Sequence, residues 1–332
     1  MKRRTTLKTL LGATGLTTGV FNPFTQIAQA EAPYPSKPIK YIVPVSAGGG
    51  SDMIGRTVCE RWGRVLGQTF VVDNEGGGGG VIACQNAAKA APDGYTLMQG
   101  YVATLGTSPA TRKNLPYDPI KDFTPIGMIG GTPNVLVVHP SVPAKNLKEF
   151  IDYIKKNPAQ VSYGSSGQGS LTHLTMELFK QVEESSIVHI PYKGIAPAFN
   201  DLMGGQIQAM FPGLAAALPH IRSGRVRAIA VTGSARNSQL KDIPTLEELG
   251  FKGFTALQWY GVVGPAGIQA SVVKRLNETL KVALSAADLK DKLSVEAVEP
   301  MATTPEQFAQ YIKTDLARWT KVARDRNIEL DN

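Results

Sequence analysis

Short apolar runs alternate with helical patterns along this chain, and this order constrains the fold more than any other feature. The runs at 39–43, 70–72 and 95–98 have the length and composition of strands. Helical patterns that begin near Asp52 and that span 82–91 separate them. Because parallel strands need a long crossover between them, this order predicts a parallel sheet with helices on its faces. The predicted fold class is therefore α/β.

The pattern restarts near Asn134, where a strand-like run precedes a helix with Asn146 as its N-cap. Further strands are predicted at 161–163, 187–190, 207–211, 228–231 and 259–263, and helices at 171–182, 196–203, 270–285 and 305–326. A chain of roughly three hundred residues exceeds what one hydrophobic core usually holds. We therefore expect two domains, one formed by 31–133 together with 254–332 and the other by 134–253.

The first thirty residues have the features of an export signal. Four basic residues within positions 2–8 precede an uncharged stretch that ends at Ala30. We predict cleavage after Ala30 and a location in the periplasm. Arg3 and Arg4 resemble a twin-arginine signal, and export through the Sec route is the alternative. Removal of this segment lowers the net charge from +8 to +4, because it contains no acidic residue.

The remaining composition argues against several functions. There is no block of Lys and Arg, and no bases alternate with aromatic residues, so we expect no nucleic-acid partner. The mild positive charge would help to attract anions. No run after the signal approaches eighteen apolar residues, so no membrane span is predicted. Cys59 and Cys84 either form a disulfide, if they are close in space, or are two unlinked buried thiols.

Two glycine-rich loops invite comparison with nucleotide-binding motifs, but neither satisfies one. Residues 47–52 lack the Gly-Lys-Ser/Thr ending of a P-loop, and 76–80 lack the last glycine of the dinucleotide fingerprint. No cofactor is therefore predicted. Residues 47–52 form either a flexible loop or a set of free backbone N–H groups that hold a ligand anion at a helix start.

A second loop of the same design runs from Tyr163 to His173 and adds several hydroxyl donors. Its glycine spacing does not match a nucleophile elbow, and no two histidines are four residues apart, so no metal site is predicted. We interpret His173 as a packing residue, with the general base of an exported hydrolase as the alternative. Lys193 either pairs with a ligand anion or is an exposed surface lysine.

Short motifs spread over nearly the whole chain resemble one family. They include Val43-Pro44-x-x-Ala47-Gly48-Gly49, Pro92-Asp93-Gly94-Tyr95-Thr96-Leu97, Leu115-Pro116-Tyr117-Asp118-Pro119, Pro191-Tyr192-Lys193-Gly194 and Asp201-Leu202-x-Gly204-Gly205-Gln206. Together they resemble the substrate-binding receptors of tripartite tricarboxylate transporters, the Bug receptor family. The resemblance implies a type II-like periplasmic-binding-protein fold with two crossovers and a cleft that closes over the ligand. It also implies a binding protein, not an enzyme, that delivers a small carboxylate to integral membrane transporter subunits.

The resemblance also implies which residues hold the ligand. In such receptors the carboxylate is bound largely by backbone and hydroxyl donors of the loops that face the cleft, rather than by a salt bridge. On this chain the matching positions are Ala47, Gly48, Ser51, Asp52, Ser165, Ser166, Gly169, Ser170 and Thr172, with Lys193 and Gly194 as second choices and Ser108 where relatives commonly carry asparagine.

The ligand class is narrowed by Pro212, which stands where some members of the family have an acidic residue. Without an acidic residue at this position, the pocket has less reason to favour an ammonium group. Mono-, di- or tricarboxylates, including aromatic ones, are therefore favoured over amino acids. Val45, Tyr101 and Trp259 are candidates for an apolar wall or for the core. We expect a monomer without cofactor or metal. A ligand-sensing receptor for a signalling system is the alternative to a transport receptor.

Overall fold

The computed structural model describes residues 34–158 and 160–330, so the predicted export signal and its cleavage after Ala30 lie outside the described residues. The strands are β1 (Ile39–Val43), β2 (Phe70–Asn74), β3 (Thr96–Tyr101), β4 (Phe123–Pro133), β5 (Val135–Val138), β6 (Ser162–Ser165), β7 (Val188–Pro191), β8 (Ala209–Met210), β9 (Arg227–Val231), β10 (Leu257–Pro265) and β11 (Glu299–Pro300). They form two separate sheets, and helices cover the faces of both. The predicted α/β class is confirmed.

Ten α-helices connect the strands within the described ranges. They are α1 (Gly50–Leu66), α2 (Val81–Ala88), α3 (Ser108–Thr111), α4 (Leu147–Lys156), α5 (Leu171–Glu183), α6 (Ile195–Met203), α7 (Leu214–Arg222), α8 (Ala270–Ser285), α9 (Ala287–Val295) and α10 (Pro305–Asp325). A 3-10 turn at Gly78–Gly80 and a π-helical turn at Ala103–Thr107 precede α2 and α3. No helix within these ranges is both long and apolar enough to cross a bilayer.

The first sheet has six strands in the order β11-β4-β10-β3-β1-β2. β1 is parallel to β2 and β3, whereas β10 runs antiparallel between β3 and β4. Alternate side chains of a strand point to opposite faces. Tyr41 accordingly packs with residues of α1 and α8, and Ile42 packs with residues of α2 and α10. Both faces of this sheet are therefore core.

The second sheet has five strands in the order β7-β6-β8-β5-β9. Leu136 and Val138 pack with residues of α4 and α5 on one face. Val135 and Val137 pack with residues of α6 and α7 on the other. The continuous apolar run of β5 thus reflects burial on both faces.

Two neighbouring chain segments connect the sheets. The chain leaves the first sheet at Pro133 and returns at Leu257, and these two residues are paired partners of β4 and β10. Just beyond them, the Asn134 N–H donates to Thr232 Oγ1 at 2.9 Å, and Thr232 donates to the carbonyl of Ala256. Both crossovers therefore lie side by side and are hydrogen-bonded to each other.

The two cysteines lie on opposite faces of the first sheet. Cys59, on α1, packs in the core with Tyr41, whereas Cys84, on α2, packs with Ile42. Both thiols are free and buried. Burial raises the pKa of Cys84 to about 12 and that of Cys59 well above its usual value. The structure thus has two unlinked thiols, and the sheet between them prevents a disulfide.

Some predicted elements differ from the structure. The strand predicted at 207–211 is too long, because β8 pairs with β5 and β6 only around Ala209 and Met210. The helix predicted at 82–91 ends at Ala88. Trp259 is fully buried in the core and is not a cleft residue. The helices α7 and α9 were not predicted, whereas the prediction of α8 at 270–285 is confirmed.

Candidate ligand-binding cleft

A cavity of about 700 Å³ opens between the two sheets. On the side of the first sheet its wall contains the start of α1, the π-helical turn with α3, and residues of β4 and β10. On the side of the second sheet it contains the loop before α5 and the starts of α6 and α7. The elements around this cavity therefore come from both halves of the chain.

Half of the residues predicted for the site line this cavity, and half do not. The lining residues are Ser51, Ser108, Ser166, Gly169, Ser170 and Thr172, and Tyr101 lines it as well. The residues outside the wall are Ala47, Gly48, Asp52, Ser165, Lys193 and Gly194.

Asp52 is directed into the protein rather than into the cavity. It is buried, and its carboxylate accepts hydrogen bonds from the Gly48 N–H (2.9 Å), from Arg56 Nε (2.9 Å) and from Asn74 Nδ2 (2.8 Å). Burial alone would raise the pKa of Asp52, but these donors hold it below its usual value. Asp52 therefore stabilises the loop before α1, and the Gly48 N–H is already used there.

The hydroxyls of the loop before α5 are bonded mainly to one another. Thr172 Oγ1 accepts a hydrogen bond from the Ser166 N–H at 2.9 Å and lies 2.9 Å from Ser170 Oγ. Ser170 Oγ in turn donates to the carbonyl of Gly167 at 2.6 Å. These contacts shape the wall of the cavity, because they fix the backbone of the loop.

Beneath this loop lies a stack of three rings, of which Tyr163 and His173 are buried and His189 is half-buried. The His173 and His189 rings are 3.9 Å apart, and Tyr163 stacks on His189 at 4.8 Å. His173 Nδ1 accepts a hydrogen bond from the Gly169 N–H at 3.1 Å, and His189 Nε2 lies 2.7 Å from Ser165 Oγ. Burial lowers the pKa of each histidine to about 4. His173 is thus a packing residue that supports the loop.

The starts of α1 and α7 both line the cavity without a side-chain cap. The N-caps are Gly49 and Gly213, and neither provides a hydrogen bond to the first turn. Ser51 of α1 and Ala215 of α7 lie in the wall. A helix start leaves several backbone N–H groups without an intrahelical partner. The α7 start was not predicted, although the pair of Pro212 and Gly213 before an alanine-rich run was a usable signal.

Polar residues at the crossovers form the floor of the cavity. Thr132 and Asn134 are buried in its wall, and Thr132 Oγ1 and Asn134 Oδ1 have no hydrogen-bond partner among the described residues. Gln258 lines it as well, and a Cβ at Gly213 would lie 2.5 Å from Gln258 Oε1. Buried polar atoms are normally hydrogen-bonded, so these atoms are suited to a polar ligand or water.

The wall contains two charged side chains within the described part of the chain, Arg112 and Glu296. Glu296 lies beside the start of α1, since a Cβ at Gly50 would be 2.6 Å from Glu296 Oε2. No group of His, Cys, Asp and Glu among residues 34–158 and 160–330 is arranged to hold a metal ion. Both charges come from segments that the motifs did not single out.

Comparisons with known proteins agree with this architecture. Residues 54–328 match the family described as "Tripartite tricarboxylate transporter family receptor". The chain is 35% identical over 298 residues to protein BugT of Bordetella pertussis. The alignment covers 90% of this chain and 91% of that protein. A solved periplasmic transporter has 43% identity and a TM-score of 0.76, covering 90% of this chain and 100% of that one. An R. palustris protein solved with adipate has 34% identity and a TM-score of 0.76, with the same coverage.

The matched region includes the second sheet, all strands of the first sheet except β1, and most of the cavity wall between them. The sequence identity to these proteins extends over about nine-tenths of the chain. It agrees with the family resemblance that the short motifs indicated. This chain therefore belongs to the tripartite tricarboxylate transporter receptor family of periplasmic solute-binding proteins.

Proposed function

We propose that this receptor binds a small carboxylate in the cleft between its two sheets and delivers it to the membrane subunits of a tripartite transporter. The observation that carries the proposal is the pair of uncapped helix starts, α1 and α7, on opposite sides of one cavity. Helix starts present free N–H groups and the positive end of the helix dipole, which favour an anion. The adipate bound by the R. palustris relative supports a carboxylate ligand.

The two adjacent crossovers, which are hydrogen-bonded to each other, support a hinge between lobes formed by 31–133 with 254–332 and by 134–253. A ligand that contacts both helix starts stabilises the closed form over the open one, and the closed form docks on the membrane subunits. Cleavage after Ala30 releases the receptor into the periplasm, where it acts as a monomer.

Receptor activity without catalysis is part of the same proposal. A hydrolase would need a serine that its substrate can reach and a histidine beside it. Ser165 has such a neighbour in His189, but it is fully buried and does not line the cavity. The pair therefore supports the loop and has no access to a ligand.

Calorimetry and thermal unfolding with a panel of mono-, di-, tri- and aromatic carboxylates test the proposal. A bound ligand at one hundred times its dissociation constant should stabilise the protein by about 2.7 kcal/mol. Amino acids and sugars at the same concentrations serve as controls. The proposal is wrong if no carboxylate in the panel produces heat or a shift at millimolar concentration.

The double change Ser170→Ala and Thr172→Ala should weaken carboxylate binding about tenfold, because hydrogen bonds that hold the α5 loop are lost. The protein should remain folded, and circular dichroism checks this. The control is the double change Ser223→Ala and Ser285→Ala, at exposed hydroxyls outside the cavity. Unchanged affinity in calorimetry would remove this loop from the site.

Replacing Glu296 by glutamine should strengthen carboxylate binding about fivefold, since removing a like charge from the wall contributes about 1 kcal/mol. The gain should shrink at high salt, where charges are screened. Glu278→Gln, on the exposed face of α8, is the matched control. Calorimetry at low and high ionic strength provides the measurement, and weaker binding by Glu296→Gln would contradict the prediction.

A further inference from the structure

Arg112 is the cationic side chain in the cavity wall within the described residues. It follows α3 directly and is half-buried. Its backbone is held on both sides, because the Arg112 N–H donates to the Ser108 carbonyl at 3.0 Å and the Leu330 N–H donates to the Thr111 carbonyl at 2.8 Å. Two backbone hydrogen bonds therefore fix the turn that carries the Arg112 guanidinium in the cavity wall.

This guanidinium lacks the partners that comparable arginines have. Its Nε is buried without a hydrogen-bond partner, and no carboxylate among residues 34–158 and 160–330 lies within ion-pair distance. Two other half-buried arginines are satisfied: Arg227 donates to the carbonyls of Val142 and Ala144, and Arg318 pairs with Asp315. A buried hydrogen-bond donor without a partner is costly. A ligand that supplies an acceptor here removes that cost.

The glycine loop before α2 lies against the guanidinium. Gly79 has a φ of +70°, and a Cβ there would lie 3.7 Å from Arg112 Nη2. Ser108 and Thr111 line the cavity next to Arg112. The glycine loop, which has no phosphate-binding motif, thus forms the part of the wall that covers this arginine.

The other charged residue of the wall is less available to a ligand. Glu296 lies beside the start of α1, where the helix dipole offsets negative charge. Arg112 has no such compensation. Arg112 is therefore the charged group of the wall that a second negative group of the ligand can pair with, which favours a ligand with two negative groups over a zwitterion.

We propose that Arg112 binds the second carboxylate of a linear dicarboxylate whose first carboxylate lies at the helix starts. The inference rests on the proposed function and names its ligand class. A guanidinium forms two parallel hydrogen bonds with one carboxylate, a geometry that lysine does not reproduce. This proposed ion pair differs from the expectation, implied by the family resemblance, that such receptors bind carboxylates without a salt bridge.

Calorimetry with ligand pairs of equal length tests this inference. The dicarboxylates are succinate, glutarate and adipate, the monocarboxylates are butyrate, pentanoate and hexanoate, and 6-aminohexanoate is the zwitterion. The wild-type protein should bind its best dicarboxylate at least tenfold more tightly than the monocarboxylate of that length. The Arg112→Gln variant should bind that dicarboxylate at least tenfold more weakly than the wild-type protein does. Its affinity for the monocarboxylate should change less than threefold. Arg112→Lys should be intermediate.

Arg275→Gln, at an exposed position on α8, is the matched control, and a thermal melt shows that each variant is folded. Monocarboxylates that bind as tightly as dicarboxylates, or an Arg112→Gln variant with unchanged dicarboxylate affinity, would overturn the role of Arg112 and leave the carboxylate receptor intact. Tightest binding of 6-aminohexanoate would overturn it in favour of a zwitterion. Absence of binding to every carboxylate would instead remove the proposed function itself.

Discussion

Replacing Glu177 by alanine is expected to lower the free energy of unfolding by about 3–5 kcal/mol. Glu177 is buried on α5, and its carboxylate accepts hydrogen bonds at 2.6 Å from Tyr163, Lys180 and Arg326. Burial alone would raise the pKa of Glu177, but these three donors hold it below its usual value. Without the carboxylate, Lys180 remains largely buried with no partner for its charge. This uncompensated charge is the reason for the large loss.

Urea unfolding at neutral pH measures the loss. Glu177→Gln should lose less, because the amide oxygen still accepts one hydrogen bond. The matched control is Asp152→Ala, which removes the exposed pair of Lys148 and Asp152 on α4 and should leave stability unchanged within error. A loss below about 1 kcal/mol for Glu177→Ala would mean that solvent reaches Lys180 and the network is not closed.

The free energy of unfolding should also fall by about 2 kcal/mol between pH 7.5 and pH 5 because of His173. Burial lowers the pKa of His173 to about 4 in the folded protein, against 6.5 in the unfolded chain. The unfolded state therefore binds the proton first as the pH falls below 6.5, which favours unfolding. The stability that neutral His173 contributes to the folded protein is fully present above pH 6.5, and it is lost progressively as the pH falls to 4. His189, which stacks on it, acts in the same direction.

Urea midpoints at the two pH values test this, and pH 5 lies above the usual pKa of carboxyl groups. His173→Asn should remove the part of the pH dependence that comes from His173 and leave the part that comes from His189, because an amide oxygen can still accept the Gly169 N–H and does not titrate. His139→Asn, at a histidine outside the stack, should retain it. Equal stability of the wild-type protein at both pH values would show that water reaches the imidazoles.

Local signals in the sequence predicted elements whose ends are defined by their own side chains. α10 begins where expected, because Thr304 and Gln307 form a capping box. α4 begins directly after Asn146 for a similar reason, since the side chain of this N-cap accepts a hydrogen bond from the Glu149 N–H. α7 has no such cap and contains Pro219, so the pair of Pro212 and Gly213 before it was the main local signal. Its apolar face is stabilised by packing against β5, which only the folded chain provides.

The candidate site was also predicted only in part from the sequence. The sequence predicted that loops rich in glycine and hydroxyls precede α1 and α5, and both loops reach the cavity through Ser51 and Thr172. It did not predict that Asp52 and Ser165 are turned inward. Asp52 is bonded to Asn74 of β2 as well as to Gly48, and Ser165 to His189 of β7 as well as to Gly167, and such partners depend on three-dimensional geometry.

By itself, the sequence determined the α/β class, the two-part organisation of strands and helices, and the family, because apolar periodicity and motifs are local properties of the chain. The tertiary structure alone decided that a sheet separates the two cysteines and that α7 faces α1 across a cavity. It also brought Arg112 and Glu296 into one wall. These residues are distant in sequence, and their segments are placed by long-range contacts, because β11 pairs with β4 and Arg112 is bridged to Leu330.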